Sequence, residues 1–389
     1  MDFNFSEEQK QLADAVRRFC DKDYGFEARR KIVASAEGVS AQAWEGIAEL
    51  GLTALPIPEA QGGFSGSAVD MLLVMQELGR GLVIEPYFAT VFGAEFLKLA
   101  GGHDAVLEQV ATGEVKLAAA LGERQARHSL NHVSTRAEKA GEGYKLKGEK
   151  NVVIHGAQAD KLVVSARVSG GDADTDGLAV FLVDRNAAGV SVTDYRTNDG
   201  MRAADVRFDA AAASLVGTAG KGWELIDAAA DYGIALLCAA AVGLIDALNA
   251  ATVEYTKTRQ QFGTPISRFQ ALQHRMTEMF IHGEQARSMA YLAAVKVATG
   301  TPEERRRAAS AAKVRVGQAC RYVGQQAVQL HGGMGVTNEL PAAHLFKRLA
   351  MIEVTLGDVD HHLARFASQP GFADTESAAP AKAKVPQAA

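Results

Sequence analysis

Residues whose types and spacing could do chemistry concentrate in three stretches of this 389-residue chain. The densest is Tyr255 to Met276, YTKTRQQFGTPISRFQALQHRM. The Gly263-Thr264-Pro265 break stops a preceding Ala/Leu-rich helix. A new helix follows, with Phe269, Leu272 and Met276 spaced for one apolar face, and Ser267 with Gln270 fits a capping box at its start. Arg259, Gln261 and Phe262 then fall at a helix-to-helix corner, where a cation, an amide and a ring can reach outward together. The plain alternative is a surface corner with one exposed Arg and one buried Phe. The second stretch, QLHGGMGVTNELPAAHLFKR from Gln329 to Arg348, holds Gly332 and Gly333. These serve either as a helix C-cap in the left-handed conformation or as a place where the backbone can approach a ligand closely, having no Cβ. The third, MIEVTLGDVDHHLARF, groups Asp358, Asp360, His361 and His362 as a polar cluster on a helix face. Adjacent histidines on a helix point about 100° apart, and no Cys or Glu stands at ligand spacing, so no metal site is expected.

The elements that must position these residues follow from periodicity. Ser6-Glu-Glu-Gln9 is a capping box, and the helix it opens shows Leu12, Val16, Phe19 and Cys20 on one face. Further amphipathic helices are expected around Trp44, Ile47 and Leu50, from Met71 to Leu78, and from Phe92 to Leu99. Between them LPIPEAQGGFSG (Leu55 to Gly66) is too rich in breakers for regular structure. The period then changes to short β-branched runs: LAAAL (Leu117 to Leu121), YKLKG (Tyr144 to Gly148), NVVIH, KLVVSARV, LAVFLVD and VSVTDY. Such spacing predicts a small β-barrel or sandwich. Long Ala-rich helical stretches return at Leu225–Leu248, Phe269–Val295, Arg305–Leu330 and Ala342–Phe366, as in a four-helix bundle. The expected organisation is α+β multidomain: an N-terminal helical domain over 1–114, a middle β domain over 115–221, a helical bundle over 222–368, and a disordered Ala/Pro/Lys-rich tail over 369–389.

Composition narrows the class. Hydrophobic residues make up 48% and the net charge is −5, with pI near 6.1, which gives no general footprint for nucleic acid. Cys20, Cys238 and Cys320 lie far apart, arguing for a reducing compartment rather than disulfides or zinc. MDFNFSEEQ is no signal peptide, and no apolar run is expected to span a bilayer. A cytoplasmic protein is the expectation.

TRQQFGTPISRFQALQ resembles the signature of the C-terminal helical domain of acyl-CoA dehydrogenases. Leu55 to Gly66 resembles that family's Pro-Glu-x-x-Gly-Gly loop, VMQELGRG follows suit, and Gln329 to Gly335 matches its Gln-x-x-Gly-Gly-x-Gly segment. The resemblance covers nearly the whole chain except the tail. It implies FAD as cofactor and an acyl-CoA substrate in fatty acid β-oxidation. The α-proton goes to a carboxylate base and the β-hydride to the flavin, and an electron-transferring flavoprotein is the implied acceptor. It also implies that Arg259 meets the FAD diphosphate of a neighbouring subunit, a fork-shaped cation on a paired anion. Gln261, Phe262 and Gln270 would lie beside that cofactor, with Gln329, Gly332 and Gly333 on its adenosine side.

Other family positions differ. Where the family carries its Glu base in Tyr-Glu-Gly-Thr, this chain has Leu356-Gly357-Asp358-Val359, so the Glu position falls on Gly357. Asp358 is a displaced candidate base, turned by about 100° if the segment is helical. Some subfamilies carry the base earlier, at a position that falls near Gly233, which is no base, with Asp231 two residues off. Gly122 to Ser129 replaces Thr-Glu-Pro-x-x-Gly-Ser-Asp, and Val152-Val153-Ile154-His155 replaces Trp-Ile-Thr-Asn, leaving fewer specific contacts to the chain's own flavin. Motifs serving a neighbour's FAD are kept while those serving its own are eroded. The chain thus resembles the small subunit of heteromeric acyl-CoA dehydrogenases, pimeloyl-CoA dehydrogenase in particular, with a homologous subunit as partner. Two alternatives stand beside this: a self-sufficient homo-oligomer (dimer or tetramer) using Asp358 or Asp231, and a non-catalytic scaffold or acyl-CoA-binding relative.

Overall fold

A computed structural model describes residues 5–370; the tail beyond Pro370 lies outside the described residues. Helix α1 (Glu7–Lys22) opens on the expected capping box and buries Val16 and Cys20. It packs on α4 (Ala68–Arg80), and α2 (Phe26–Ala34), α3 (Ala41–Glu49), α5 (Tyr87–Ala100) and α6 (Asp104–Ala111) complete the N-terminal helices. The pattern does not predict α2 or α6. The residue α2 buries is Arg29, whose guanidinium donates to the Leu82 and Asp199 carbonyls, so its inward face reads as polar. Leu55 to Gly66 is irregular apart from one 3-10 turn, Glu59–Gln61.

The middle unit has seven strands: β1 (Leu117–Ala120), β2 (Arg136–Ala140), β3 (Gly143–Ile154), β4 (Lys161–Arg167), β5 (Leu178–Asp184), β6 (Val190–Arg196) and β7 (Arg202–Val216). Pairings run β4-β2-β3-β7-β5 and return from β5 to β4, so the sheet closes on itself, with β1 parallel on β4 and β6 on β7. The ring encloses its own core, including Leu146, Phe181 and Phe208. YKLKG and NVVIH, expected as two strands, form one strand with register shifts at Leu146/Lys147 and Lys150/Val153. β2 and β7 lie outside the predicted strands because one is largely exposed and the other Ala-rich.

The C-terminal unit begins with α7 (Gly222–Thr258). This 37-residue helix is long and apolar enough to cross a membrane, an 18-residue window of it having mean hydropathy 2.0, contrary to the expectation that no such run exists. Yet 72% of that window is buried inside the protein, as for a core helix. A two-stranded ribbon follows, β8 (Gln260–Gln261) and β9 (Thr264–Pro265), then α8 (Gln270–Thr299), α9 (Pro302–His331), α10 (Pro341–Val354) and α11 (Val359–Ala367). Three expectations need correction. The Arg259 corner is a β-ribbon rather than a bare helix junction. Ser267 lies in a 3-10 turn, and Phe269, without a side-chain cap, precedes α8, so the expected capping box is absent. The stretch Ala342–Phe366 is broken at Thr355 to Asp358.

The N-terminal helices and the bundle share one core because α4 and α7 cross at glycines. A Cβ on Gly243 would lie 1.8 Å from Gln76 O, and one on Gly79 would lie 2.2 Å from Ala240 O. Backbone cannot yield as a side chain can. Gly243→Ala is therefore expected to lower stability by more than ~3 kcal/mol, read as a fall in the urea unfolding midpoint; an unchanged midpoint would refute this crossing.

Candidate active-site crevice and cofactor corner

A crevice of about 560 Å³ lies where the barrel, α5 and the end of α10 meet. Its apolar side is built from Phe88 and Phe92 of α5, with Leu121, Met351, Val354 and Leu356; the Phe88 and Phe92 rings stack at 5.6 Å. The barrel side carries Val152 and Ile154, brought there by the register shift in β3. Val152 sits at φ 54°, an unfavourable conformation for a β-branched residue. The segment thus reaches the crevice as the resemblance implies, but presents two aliphatic groups in place of an indole and a hydroxyl.

Each carboxylate on the crevice wall is already engaged. Glu123 accepts from Lys150 Nζ at 2.8 Å and from the Ser134 and Thr135 amides. Burial alone would raise its pKa, but the Lys150 ammonium and these donors hold it down at about 2. Asp199 accepts from Arg348 at 2.8 Å. Asp205 accepts from the Val152 amide and the Tyr195 hydroxyl, both at 3.1 Å. Asp358 is not on a helix face at all. It is the N-cap of α11, accepting from His361 N at 2.8 Å, with Arg127 Nη2 at 3.1 Å and His128 Nε2 at 3.2 Å. The His361 amide, with His128 and Arg127, holds it at about 2, a poor proton acceptor. Asp231 is fully buried, gripped by Arg305 at 3.0 Å and Arg365 at 2.7 Å. Burial raises its pKa against the pull of Arg365, and its place is a buried ionic network with Asp227.

At Gly357 and Gly233, at or near the positions where the resemblance would put a Glu, a side chain would meet neighbours. The segment between α10 and α11 turns through Leu356 at φ 57° and Gly357 at φ 108°. Lys313, 1% exposed, donates to the carbonyls of Ile352, Glu353 and Gly357 at 2.9, 2.8 and 2.7 Å. His362 Nε2 donates to Leu356 O at 2.9 Å. A Cβ on Gly357 would lie 2.6 Å from both the His361 and His362 rings. One on Gly233 would meet Leu356 Cδ1 and the Phe92 ring, each at 2.9 Å. Lys313 escaped the sequence reading; its only signal is a lone Lys in AASAAKVRVGQAC, among small and apolar residues.

The corner is arranged differently. Phe262 (φ 57°) and Gly263 (φ 76°) form the two-residue turn of the ribbon, both left-handed as such hairpins require. Phe262 is 90% exposed, so the alternative of a buried Phe does not hold; its ring meets Phe269 edge-on at 6.1 Å. Arg259 is exposed and its guanidinium has no partner among the described residues. Tyr255 stacks on His331 at 4.4 Å, tying the end of α7 to the end of α9. Gln261, Gln270, Gln329, Gly332 and Gly333 are likewise exposed. Gly332 has φ 56°, ψ −139°, open to Gly but not the left-handed helical cap, and nothing lies within 4 Å of a Cβ on either glycine. None of these residues lines the crevice. An unpaired guanidinium beside an exposed ring and bare glycine backbone fits a flavin dinucleotide's diphosphate. No group of metal-ligating side chains exists among the described residues.

Residues 6–114, 118–211 and 220–369 match the N-terminal, middle and C-terminal domains of acyl-CoA dehydrogenase. The chain belongs to the acyl-CoA dehydrogenase family, FAD-dependent oxidoreductases acting on acyl-CoA. It is similar to the probable acyl-CoA dehydrogenase YngJ of Bacillus subtilis, 28% identical over 372 residues covering 92% of this chain and 96% of that one. It is also similar to subunit CarC of the caffeyl-CoA reductase-Etf complex of Acetobacterium woodii, 26% identical over 359 residues covering 88% and 93%. The ChsE4-ChsE5 complex from Mycobacterium tuberculosis has the same fold at TM-score 0.85 and 25% identity, covering 98% of this chain and 100% of the matched one.

Placing the family's carboxylate back at its usual position should not work here. Gly357→Glu is expected to lower the unfolding midpoint by the equivalent of ~1–3 kcal/mol, the cost of a strained φ, and to give no acyl-CoA-dependent flavin reduction above wild type. A stable variant with new turnover would contradict the geometry of this turn.

Proposed function

We propose that this chain is one subunit of a hetero-oligomeric acyl-CoA dehydrogenase whose Arg259 corner completes the FAD site of a homologous partner. The partner supplies the Glu base for that site. The observation that carries this reading is the separation of the two sets of residues. The cofactor-type residues Arg259, Gln261, Phe262, Gln270, Gln329, Gly332 and Gly333 are exposed and outside the chain's own crevice. The chain meanwhile has glycine at Gly357, on the crevice wall, and at Gly233, at or near the two positions the resemblance implies for a base, with the side-chain space at each filled. When bound, FAD supplies the hydride acceptor. The role of this chain is to hold it: Arg259 on the diphosphate, Gln261 and Phe262 beside the cofactor, and the Gln329 to Gly333 segment on the adenosine side.

The ChsE4-ChsE5 complex supports a two-chain assembly, and the Etf-complexed CarC supports an electron-transferring flavoprotein as acceptor. A cytoplasmic location belongs to the same reading, with α7 serving as a buried core helix. The self-sufficient alternative finds no support in Asp358 or Asp231. The first caps α11 and pairs with the Arg127 guanidinium, with the His128 ring beside it, and the second is locked between two guanidiniums.

Arg259→Ala in the assembled complex is expected to weaken FAD by ~1.5–3 kcal/mol, the worth of a charge-assisted hydrogen bond. The measurement is flavin retained per complex after gel filtration. Flavin content equal to wild type would remove the corner from the cofactor site.

A further inference from the structure

The crevice wall carries one imidazole, and it is the side chain there that can offer a nitrogen lone pair in place of a carboxylate. His128 lines the crevice wall with its side chain 20% exposed. Its Nε2 lies 3.2 Å from Asp358 Oδ2, and Nδ1 has no hydrogen-bond partner among the described residues. The loop is bent to achieve this. Arg127, immediately before, sits at φ 48°, a conformation that costs free energy for any side chain with a Cβ. That bend lets Arg127 and His128 both reach the same carboxylate. Asp358 in turn is fixed as the N-cap of α11, one residue from Gly357, where the family places its base. Charged and titratable groups facing the imidazole are Arg127 on its own loop and Asp358 and His361 on α11, the His361 ring at 5.8 Å. Arg365 and Lys313 stand near His361.

We propose that His128, positioned by Asp358, is the proton acceptor of this chain's own crevice, taking the α-proton of a bound acyl thioester. The Cα–H bond breaks and its electron pair passes into the thioester carbonyl as an enolate. The proton forms an N–H bond at Nδ1, and the resulting imidazolium is compensated by the Asp358 carboxylate, as in other carboxylate-oriented histidines. Reversal delivers a solvent-derived proton to the α-carbon. The inference rests on the crevice being an acyl-CoA site and not on the subunit arrangement proposed above.

The experiment is α-hydrogen exchange in D2O, with the full chain as purified incubated with a short, a medium and a long saturated acyl-CoA. Deuterium at the α-carbon is read by mass spectrometry across pH. Wild type is expected to exchange at least one of them above the protein-free rate, and His128→Gln to lose about 100-fold or more of that rate while binding the acyl-CoA unchanged. Asp358→Asn keeps the helix cap but removes the charge that favours the imidazolium, so the acid limb of the profile should move to lower pH. A purely structural role for Asp358 would leave that limb in place. Exchange no faster than the protein-free rate in wild type, a wild-type rate in His128→Gln, or an unmoved acid limb in Asp358→Asn would each overturn the proposal. None of these outcomes bears on Arg259, whose role is read separately from flavin content.

Discussion

The Lys313 ammonium is buried among helices and has to find acceptors; those it finds are the main-chain carbonyls of Ile352, Glu353 and Gly357. A charge withdrawn from water without partners would cost several kcal/mol. Burial already lowers the pKa of Lys313, so these three contacts hold the interior together at this point. They also end α10. The carbonyls that a continuing helix would bond to its own amides are turned toward the ammonium, and the chain leaves through Leu356 and Gly357 in left-handed conformations before Asp358 caps a new helix. The floor of the crevice follows from that turn, including the Leu356 side chain that lies against Gly233 and Phe92. A carboxylate at either family position would have to displace these neighbours.

Two regions with opposite character result. The crevice is walled by aromatic and aliphatic groups, and its carboxylates are each engaged by hydrogen-bond donors. The corner built by the ribbon and the end of α9 is exposed, cationic and bare of side chains where a ligand's backbone contacts would fall. The Tyr255–His331 stack joins its two halves, so sequence stretches some seventy residues apart act as one surface. Separating cofactor contacts from the chain's own cavity makes sense if they serve a cavity on another subunit.

Much of this was legible in the sequence where local rules dominate. The Ser6 to Gln9 box, the three-unit order and the long Ala-rich helices follow from capping chemistry and period. Arg259 and its neighbours were recognisable as a string. What the sequence hid are effects set by distant residues. Phe262 could be read as reaching outward or as a buried ring, and only the two-residue turn, closed by pairing of the ribbon, decides for 90% exposure. Asp358 reads as part of a helix, and a buried Lys forty-five positions earlier makes it a cap instead. β7 reads as an Ala-rich non-strand, and is held in the sheet by β3, β5 and β6. His128 carries no local signal; it gains meaning only from the fold that sets it beside Asp358.

The visible spectrum and FAD-to-protein ratio of the purified chain alone test the shared-site account most directly. If the chain mainly completes a partner's cofactor site, it should purify with little flavin, and flavin should appear when it is co-expressed with a homologue carrying the intact Glu motif. Stoichiometric flavin on the isolated chain, unchanged by co-expression, would contradict it.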